Sequence, residues 1–312
     1  MRFFPALHKG MSHLRIGIWF DERHMAYGGP TAVLLGTLLG FYQDAETRGE
    51  EVRILLNEPG DLNWDMGPSK DLSHASAVCP NFVVGPFCFQ HRDGELDVDQ
   101  RQTHATWVAQ PPVIFPSEWF RDWITSALPF QNSFVWGAGV DTDFFTPADT
   151  IEKTQDFFIY FKSQRYEDLV NLSAFLFNEY FGIKGTVLTY YYYDREMLRQ
   201  AARTSRFCIM LDKTETQGLA ALEIMACDCP LFVLDTTVYE GVGKSGAATS
   251  VTCWDTCCGM KSSLSKLRED FPVFLTQFTA GAYSPRAFVE RGYSYSASAQ
   301  RLRTILSHAG TT

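Results

Sequence analysis

The chain has 312 residues, 46% hydrophobic and 20% charged, the balance of an ordinary soluble protein with room for two domains or one large one. Its formal net charge of -9 argues against a nucleic-acid binder. Residues 1–145 hold 10 Lys and Arg against 18 Asp and Glu, while residues 146–312 hold 17 against 18, so the first half is acidic and the second nearly balanced.

Residues 1–13 read as a loose leader, too short and proline-broken over 2–7 to be a secretory signal. Leu14 to Phe20 predicts the first strand. Gly28-Gly29-Pro30-Thr31 then precedes VLLGTLLGFY, a predicted helix with Pro30 in its first turn, where a missing N–H does no harm. Glu51 to Leu56 predicts the second strand. Strand, glycine loop, helix, strand opens a Rossmann-like half, but without the G-x-G-x-x-G spacing of a dinucleotide site. Paired glycines let backbone approach a ligand closely, although a plain tight turn would look the same.

Residues 57–105 carry the weakest pattern. Asn81 to Val84 predicts a third strand and Arg92 to Arg101 a solvated loop. Thr106 to Val108 and Val113 to Phe115 read as short strands, Ser117 begins a Trp-rich helix, and Phe134 to Trp136 is another strand. Pro147-Ala148-Asp149-Thr150 has linker composition and places a domain boundary near residue 150.

Asp156 to Phe161 predicts a strand, followed by Lys162 and Arg165 and a helix from about Tyr166 to Tyr180. Cations are mildly unfavourable at a helix start, so the pair points to an anionic ligand more than to structure. Thr186 to Thr189 is a strand running into Tyr190-Tyr191-Tyr192-Tyr193, and Asp194 to Thr204 a helix. A tyrosine here can stack on a base, or simply pack at a strand end.

The most informative stretch is Arg206 to Asp235. Phe207 to Leu211 predicts a buried strand, Gly218 to Ala226 a helix, and Leu231 to Leu234 a second strand. Pro230 ends the helix, because the residue before a proline avoids helical angles. The unit is a right-handed parallel crossover. Ligands of open α/β sheets bind where strands end and helices begin. The amides of Gln217, Gly218 and Leu219 would face that crevice and attract phosphate, while Glu215 and Glu223 can accept hydroxyl protons. A ligand that is part phosphate and part polyol fits, and a nucleotide sugar is one. A structural crossover with a capping Glu and a second Glu by chance is the plain alternative.

Downstream, Gly243-Lys244-Ser245 lacks the earlier glycine of a P-loop. Thr249 to Trp254 reads as a final strand, Leu264 to Phe278 as helix broken at Pro272, and Ser284-Pro285 as the start of a last segment. The eight cysteines form no zinc spacing, and several fall in apolar runs where a reduced thiol is a small hydrophobe. A reducing, cytoplasmic compartment is expected. No run approaches the roughly 20 apolar residues of a membrane span.

Glu215-Thr216-Gln217-Gly218-Leu219 through Glu223, then Ile224-Met225-Ala226 and Pro230, resembles the E-x7-E signature of retaining GT-B glycosyltransferases. That large family includes sucrose synthase and many bacterial cell-surface transferases. Its usual form has an aromatic residue before the glycine, where this chain has Gln217. Gly139-Val140-Asp141 with Phe144, Phe145 and Pro147 likewise resembles the family's G-V-D…F-x-P segment.

The resemblance implies a GT-B α/β fold, two Rossmann-like domains (1–150 and 151–312) facing each other across a cleft, with a terminal helix packing back at the junction. It implies Glu215, Lys162 and Arg165 as catalytic groups. Lys162, Arg165 and the Gly218 helix start would stabilise the donor diphosphate, with Thr216, Gln217 and Leu219 beside it. Family order has Arg before Lys at wider spacing, so which cation has which role stays open. Glu215 would hold donor-sugar hydroxyls, Glu223 the ribose, Tyr191 and Tyr192 the base. Gly28 and Gly29 would close over the diphosphate, and His104 or His24 is the family-type contact to the donor sugar. The implied activity is transfer from a UDP- or GDP-linked sugar to a glycan or glycoconjugate hydroxyl, with retention, no cofactor and no metal. A membrane-peripheral location would follow from a lipid-linked acceptor. A non-catalytic nucleotide-sugar scaffold and a nucleotide-sugar epimerase on the same fold remain as rival readings.

Overall fold

The computed structural model describes residues 13–20, 28–66, 82–86, 112–126, 130, 132–147, 152–162, 166–241 and 244–309. Two parallel sheets organise the chain. The first is built from β1 (His13–Trp19), β2 (Glu51–Leu56), β3 (Leu62–Asp65), β4 (Val83–Val84), β5 (Val113–Phe115) and β6 (Ser133–Val135), in the order β2-β1-β3-β4-β5-β6. The second contains β7 (Gln155–Phe161), β8 (Gly185–Thr189), β9 (Ser205–Leu211), β10 (Leu231–Leu234) and β13 (Gly259–Ser262), in the order β13-β10-β9-β7-β8. Each sheet winds alike: from its first strand the chain moves out to one side, then returns to the other. The strand order therefore reverses between β1 and β3 and again between β7 and β9, the places where open α/β sheets form ligand crevices.

Alternation along the strands explains the layers. Phe157, Ile159 and Phe161 of β7 join Phe207, Ile209, Leu211, Phe232 and Leu234 on one face of the second sheet. That face is covered by α3 (Tyr166–Glu179) and α6 (Leu267–Thr279) through Leu172, Phe175, Phe271 and Phe274. Phe158, Tyr160, Cys208, Met210, Leu231 and Val233 point the other way, onto α4 (Arg195–Thr204), α5 (Leu219–Ala226) and α7 (Pro285–Tyr293). Strands buried on both faces must be apolar throughout, and QDFFIYF and SRFCIML are nearly so. In the first sheet, α1 (Gly28–Arg48) and α8 (Tyr295–Ala309) cover Ile16, Ile18, Trp64 and Ile114. Phe120, Trp123 and Ile124 of α2 (Glu118–Thr125) cover Val84, Val113 and Phe115 on the opposite face.

The last helix returns to the first sheet. Gly36 and Gly40 share one side of α1, and α8 lies directly against them: a Cβ on Gly40 would be 2.2 Å from the Tyr295 carbonyl oxygen. The Trp136 indole N–H donates to the Ser298 carbonyl at 2.9 Å, and the Ser298 hydroxyl to that of Gly137 at 2.9 Å. The segment expected to end the first domain is thus the one the terminal helix grips.

The elements differ from the sequence reading at several points. β3 was not anticipated; its LNWD pattern is short and half polar. Val238–Gly241 (β11) and Lys244–Ala247 (β12) form an antiparallel hairpin, also unforeseen; Lys244-Ser245 opens its second strand, and Gly243 lies outside the described residues. Residues 249–254 are not a strand but a loop held by side chains, and the last strand is β13 instead. Pro272 does not break its helix: it lies inside α6, where its missing N–H forfeits the bond to the Arg268 carbonyl. The predicted strand at 106–108 and charged loop at 92–101 lie outside the described residues.

Candidate active site at the second switch point

β7 and β9 lie side by side at the second reversal, and the loops leaving them supply the charged groups. Lys162 follows β7 directly, its N–H donating to the Leu211 carbonyl at 3.3 Å. Its ammonium pairs with Glu215 and lies 3.9 Å from Asp212, which is 5% exposed. Burial alone would lower the Lys162 pKa; the Glu215 and Asp212 carboxylates outweigh it and raise the value above that of a free lysine. Lys162 is therefore a fixed positive charge at neutral pH. It also stands 5.1 Å above the Tyr190 ring, which ties it to the tyrosine loop after β8.

Every polar group of Glu215 is engaged. One carboxylate oxygen accepts the Thr216 and Gln217 amides at 2.9 and 3.3 Å, and the other takes Lys162. Its N–H donates to the Thr249 carbonyl at 2.9 Å, and its carbonyl accepts the Trp119 indole at 2.9 Å. The Gln217 amide is thus not free for a ligand, contrary to expectation. The amides of Gly218 and Leu219 head α5. Gly218 has φ +78°, and a Cβ there would stand 3.0 Å from the Thr252 hydroxyl, so glycine is required by backbone angle and by space.

The loop 249–252 supports this stretch from behind. The Thr249 hydroxyl and Ser250 N–H donate to Asp235 at 2.9 and 2.6 Å, and the Thr252 hydroxyl donates to the Gln217 carbonyl at 2.9 Å. Lys261 donates to the Thr249 hydroxyl at 2.5 Å and to the Val251 carbonyl at 2.9 Å. These polar bonds replace the ladder a strand would have made.

Glu223 lies on the second turn of α5. Its carboxylate stands apart from the Lys162–Glu215 pair, with Arg195 as its ionic partner at 3.5 Å. Burial pushes its pKa up to about 7; Arg195 opposes the shift and Asp141 adds to it. The Arg195 guanidinium stacks 5.0 Å from the Phe144 and Phe145 rings, which links Glu223 to the G-V-D…F-x-P segment. Tyr191 and Tyr192 are each 81% exposed, and Tyr191 holds φ +71°. A left-handed backbone at Tyr191 is costly to hold, and such strained positions cluster where ligands are gripped.

The structure thus brings Lys162, Glu215, Thr216, Gln217, Gly218 and Leu219 into one cluster, with Tyr191 and Tyr192 on the adjoining loop and Glu223 one turn into the helix. Gly28 and Gly29 begin α1 at the first sheet's own reversal, and a Cβ on Gly29 would meet nothing within 4 Å. Arg165, His24 and His104 lie outside the described residues. Sequence reasoning missed Asp212, Arg195 and Trp119, and weighed Tyr190 only as one of four tyrosines. Asp212 and Tyr190 directly follow predicted strands, which was a usable signal; Arg195 and Trp119 matter through contacts across the fold. Among the described residues no group of three or more His, Cys, Asp or Glu is placed to hold a metal ion, and no helix is long and apolar enough to cross a membrane.

No family model matches the chain, and no curated protein matches it in sequence. Solved structures do. Sucrose-phosphate synthase from Thermosynechococcus elongatus aligns with TM-score 0.56 at 11% identity, over 94% of this chain and 98% of that one. The lipopolysaccharide outer core galactosyltransferase WaaB aligns with TM-score 0.57 at 10% identity, over 94% and 99%. The pneumococcal O-GlcNAc transferase GtfA, solved with UDP and GlcNAc, aligns with TM-score 0.51 at 12% identity, over 79% of this chain and 57% of that one. The chain has the GT-B fold of these glycosyltransferases, with two Rossmann-like sheet units.

Proposed function

We propose that this protein is a glycosyltransferase that moves a sugar from a nucleoside-diphosphate sugar to a hydroxyl acceptor, with retention of anomeric configuration. The observation that carries the reading is Lys162, charged and half-enclosed by Glu215 and Asp212, beside the head of α5 at the reversal between β7 and β9. A cation and helix-start amides converging there suit a leaving diphosphate, whose charge must be stabilised as the glycosidic bond breaks. Lys162, with Arg165 as second cation, and the Gly218 and Leu219 amides take the phosphates. Glu215 takes donor-sugar hydroxyls, Glu223 the ribose, and Tyr191 or Tyr192 stacks on the base.

In the step itself, the bond from the anomeric carbon to the diphosphate oxygen breaks and its electron pair stays on that oxygen. The acceptor oxygen bonds to the anomeric carbon on the face the diphosphate leaves, and its proton passes to the departing phosphate oxygen. Glu215 orients the sugar and serves as neither nucleophile nor base. Neither a resident metal nor a cofactor enters this scheme.

Residues 1–150 form the acceptor-side domain and 151–312 the donor domain, with Gly28 and Gly29 facing the diphosphate. The donor is UDP- or GDP-linked and the acceptor a glycan or glycoconjugate, met in the cytoplasm or at a membrane surface. The test is proton NMR of donor turnover with α-linked UDP-glucose, UDP-GlcNAc, UDP-galactose and GDP-mannose. Early accumulation of the α-sugar supports the reading. Early β-sugar would refute retention.

A further inference from the structure

The hairpin between β10 and β13 joins neither sheet; it reaches across to the first one. Tyr239 of β11 sits against both tryptophans of α2, 5.8 Å from the Trp119 ring and 5.0 Å from the Trp123 ring. On the partner strand Gly246 presses against Trp123, where a Cβ would lie 2.9 Å from the indole Cδ1. α2 is itself anchored to the first sheet: Phe120, Trp123 and Ile124 are core residues packed with Phe115. Tyr239 adds to the same cluster from outside. The hairpin is therefore clipped to a helix of the other half by aromatic edges, and glycine at 246 permits the close seat.

The clip leads to Glu215 by two routes. From α2, the Trp119 indole N–H donates to the Glu215 carbonyl at 2.9 Å, across 96 residues of sequence. From the hairpin, the chain leaves β12 at Ala247 and two residues later offers the Thr249 carbonyl to the Glu215 N–H at 2.9 Å. Helix, indole, Glu215, Thr249 and hairpin close a ring through the Trp123–Gly246 contact. The backbone of Glu215 is held on one side by Trp119 of α2 and on the other by Thr249, which follows the hairpin and is braced by Asp235 and Lys261. Its carboxylate direction, toward Lys162 and the Thr216 and Gln217 amides, follows from that backbone.

We infer that Trp119 is a positioning residue for Glu215, holding the carboxylate in its productive orientation when the β11–β12 hairpin is seated on α2. The inference rests on the glycosyltransferase reading for what Glu215 faces, but the positioning itself does not. Binding of a bare nucleotide uses Lys162, Glu223 and the tyrosine loop and leaves Trp119 unused. Alignment of the sugar uses Glu215 and therefore needs Trp119. The chemical step is thus sensitive to a hydrogen bond supplied by the opposite half, which makes turnover conditional on the two halves being clipped together.

The test uses the full chain with Trp119→Phe, which keeps an aromatic face against Phe120 and Tyr239 and deletes the N–H donor. Tyr239→Leu, which unseats the hairpin and leaves the indole intact, and the double variant complete the set. Backbone amide exchange over 213–219, measured without ligand, is expected to quicken about tenfold in each single variant and no further in the double, since both break one ring. In calorimetry with UDP and GDP the nucleotide affinity of Trp119→Phe is expected to stay within about twofold of wild type, with kcat for transfer falling about tenfold. Unchanged exchange over 213–219 in Trp119→Phe would overturn the inference, as would additive effects in the double variant. Equal loss of nucleotide affinity and kcat would overturn it as well. The exchange arm needs no ligand and decides the role of Trp119 by itself; failure of the wild-type protein to bind either nucleotide would instead count against the donor reading.

Discussion

Glu223→Gln should make the protein more stable and the site worse. Burial raises the Glu223 pKa from 4.5 to about 7, so the folded protein holds this proton more tightly than the unfolded chain does. A raised folded-state pKa favours folding at low pH, where the carboxyl is protonated in both states. That advantage is lost as pH climbs from about 4.5 to about 7 and stays lost above. Each pH unit corresponds to about 1.4 kcal/mol, so the ionised carboxylate costs about 3 kcal/mol at pH 8. The amide of Gln fills the same space and never ionises. Arg195, whose side chain is 52% exposed, can turn to water when the charge is removed.

Urea unfolding of wild type and variant at pH 5 and pH 8 measures the difference. The two proteins should be close at pH 5, and the variant more stable by about 2–3 kcal/mol at pH 8. The same substitution should weaken nucleotide binding about tenfold, because ribose hydroxyls donate more strongly to a carboxylate than to an amide. A variant less stable than wild type at pH 8, or a gap that does not widen with pH, would refute the reasoning.

Three further outcomes are expected. Lys162→Met removes a charge-assisted contact of about 1.5–3 kcal/mol and should lower affinity for nucleoside diphosphates roughly tenfold to a hundredfold in calorimetry, with nucleosides little affected. Gly218→Ala forces a side chain into φ +78° and against the Thr252 hydroxyl, and should cost about 1–2 kcal/mol in denaturant unfolding while slowing transfer. Gly40→Val drives a side chain into the Tyr295 backbone, so α8 must lift from α1 and stability should fall by about 2–3 kcal/mol, seen as a lowered Tm.

The second sheet was largely legible in the sequence because its central strands are buried on both faces. FCIML within β9 and LFVL are continuous apolar runs, and the Pro230 stop marks the helix between them. β7 and α4 were equally plain, the latter through Asp194, whose side chain caps the helix by accepting the Met197 amide at 2.8 Å. Pattern failed where the backbone is held by something other than ladders or apolar periodicity. Residues 249–254 alternate like a strand, yet Asp235 and Lys261 hold 249–251 as a loop. VYEG and KSGA carry little alternation, and their pairing depends on a landing place on α2 that sequence spacing does not encode.

The cluster around Glu215 was readable because its members lie near strand ends in one crossover and its neighbour. Lys162 and Glu215 both follow predicted strands, and parallel neighbours bring strand ends together. The contribution of Trp119 was not readable, since a hydrogen bond across 96 residues follows from how the two halves meet. The Arg195–Glu223 pair was hidden for the same kind of reason: it joins the starts and turns of two helices on one face of the sheet.

The central claim is that the Lys162–Glu215 crevice holds the diphosphate of a nucleotide sugar. Calorimetric titration of the wild-type protein and Lys162→Met with UDP, GDP, ADP and their common sugar conjugates tests it most directly. One nucleotide should bind the wild type at micromolar concentration and bind Lys162→Met at least tenfold more weakly. Absence of binding by every nucleotide to a folded sample, or equal binding by the two proteins, would contradict it.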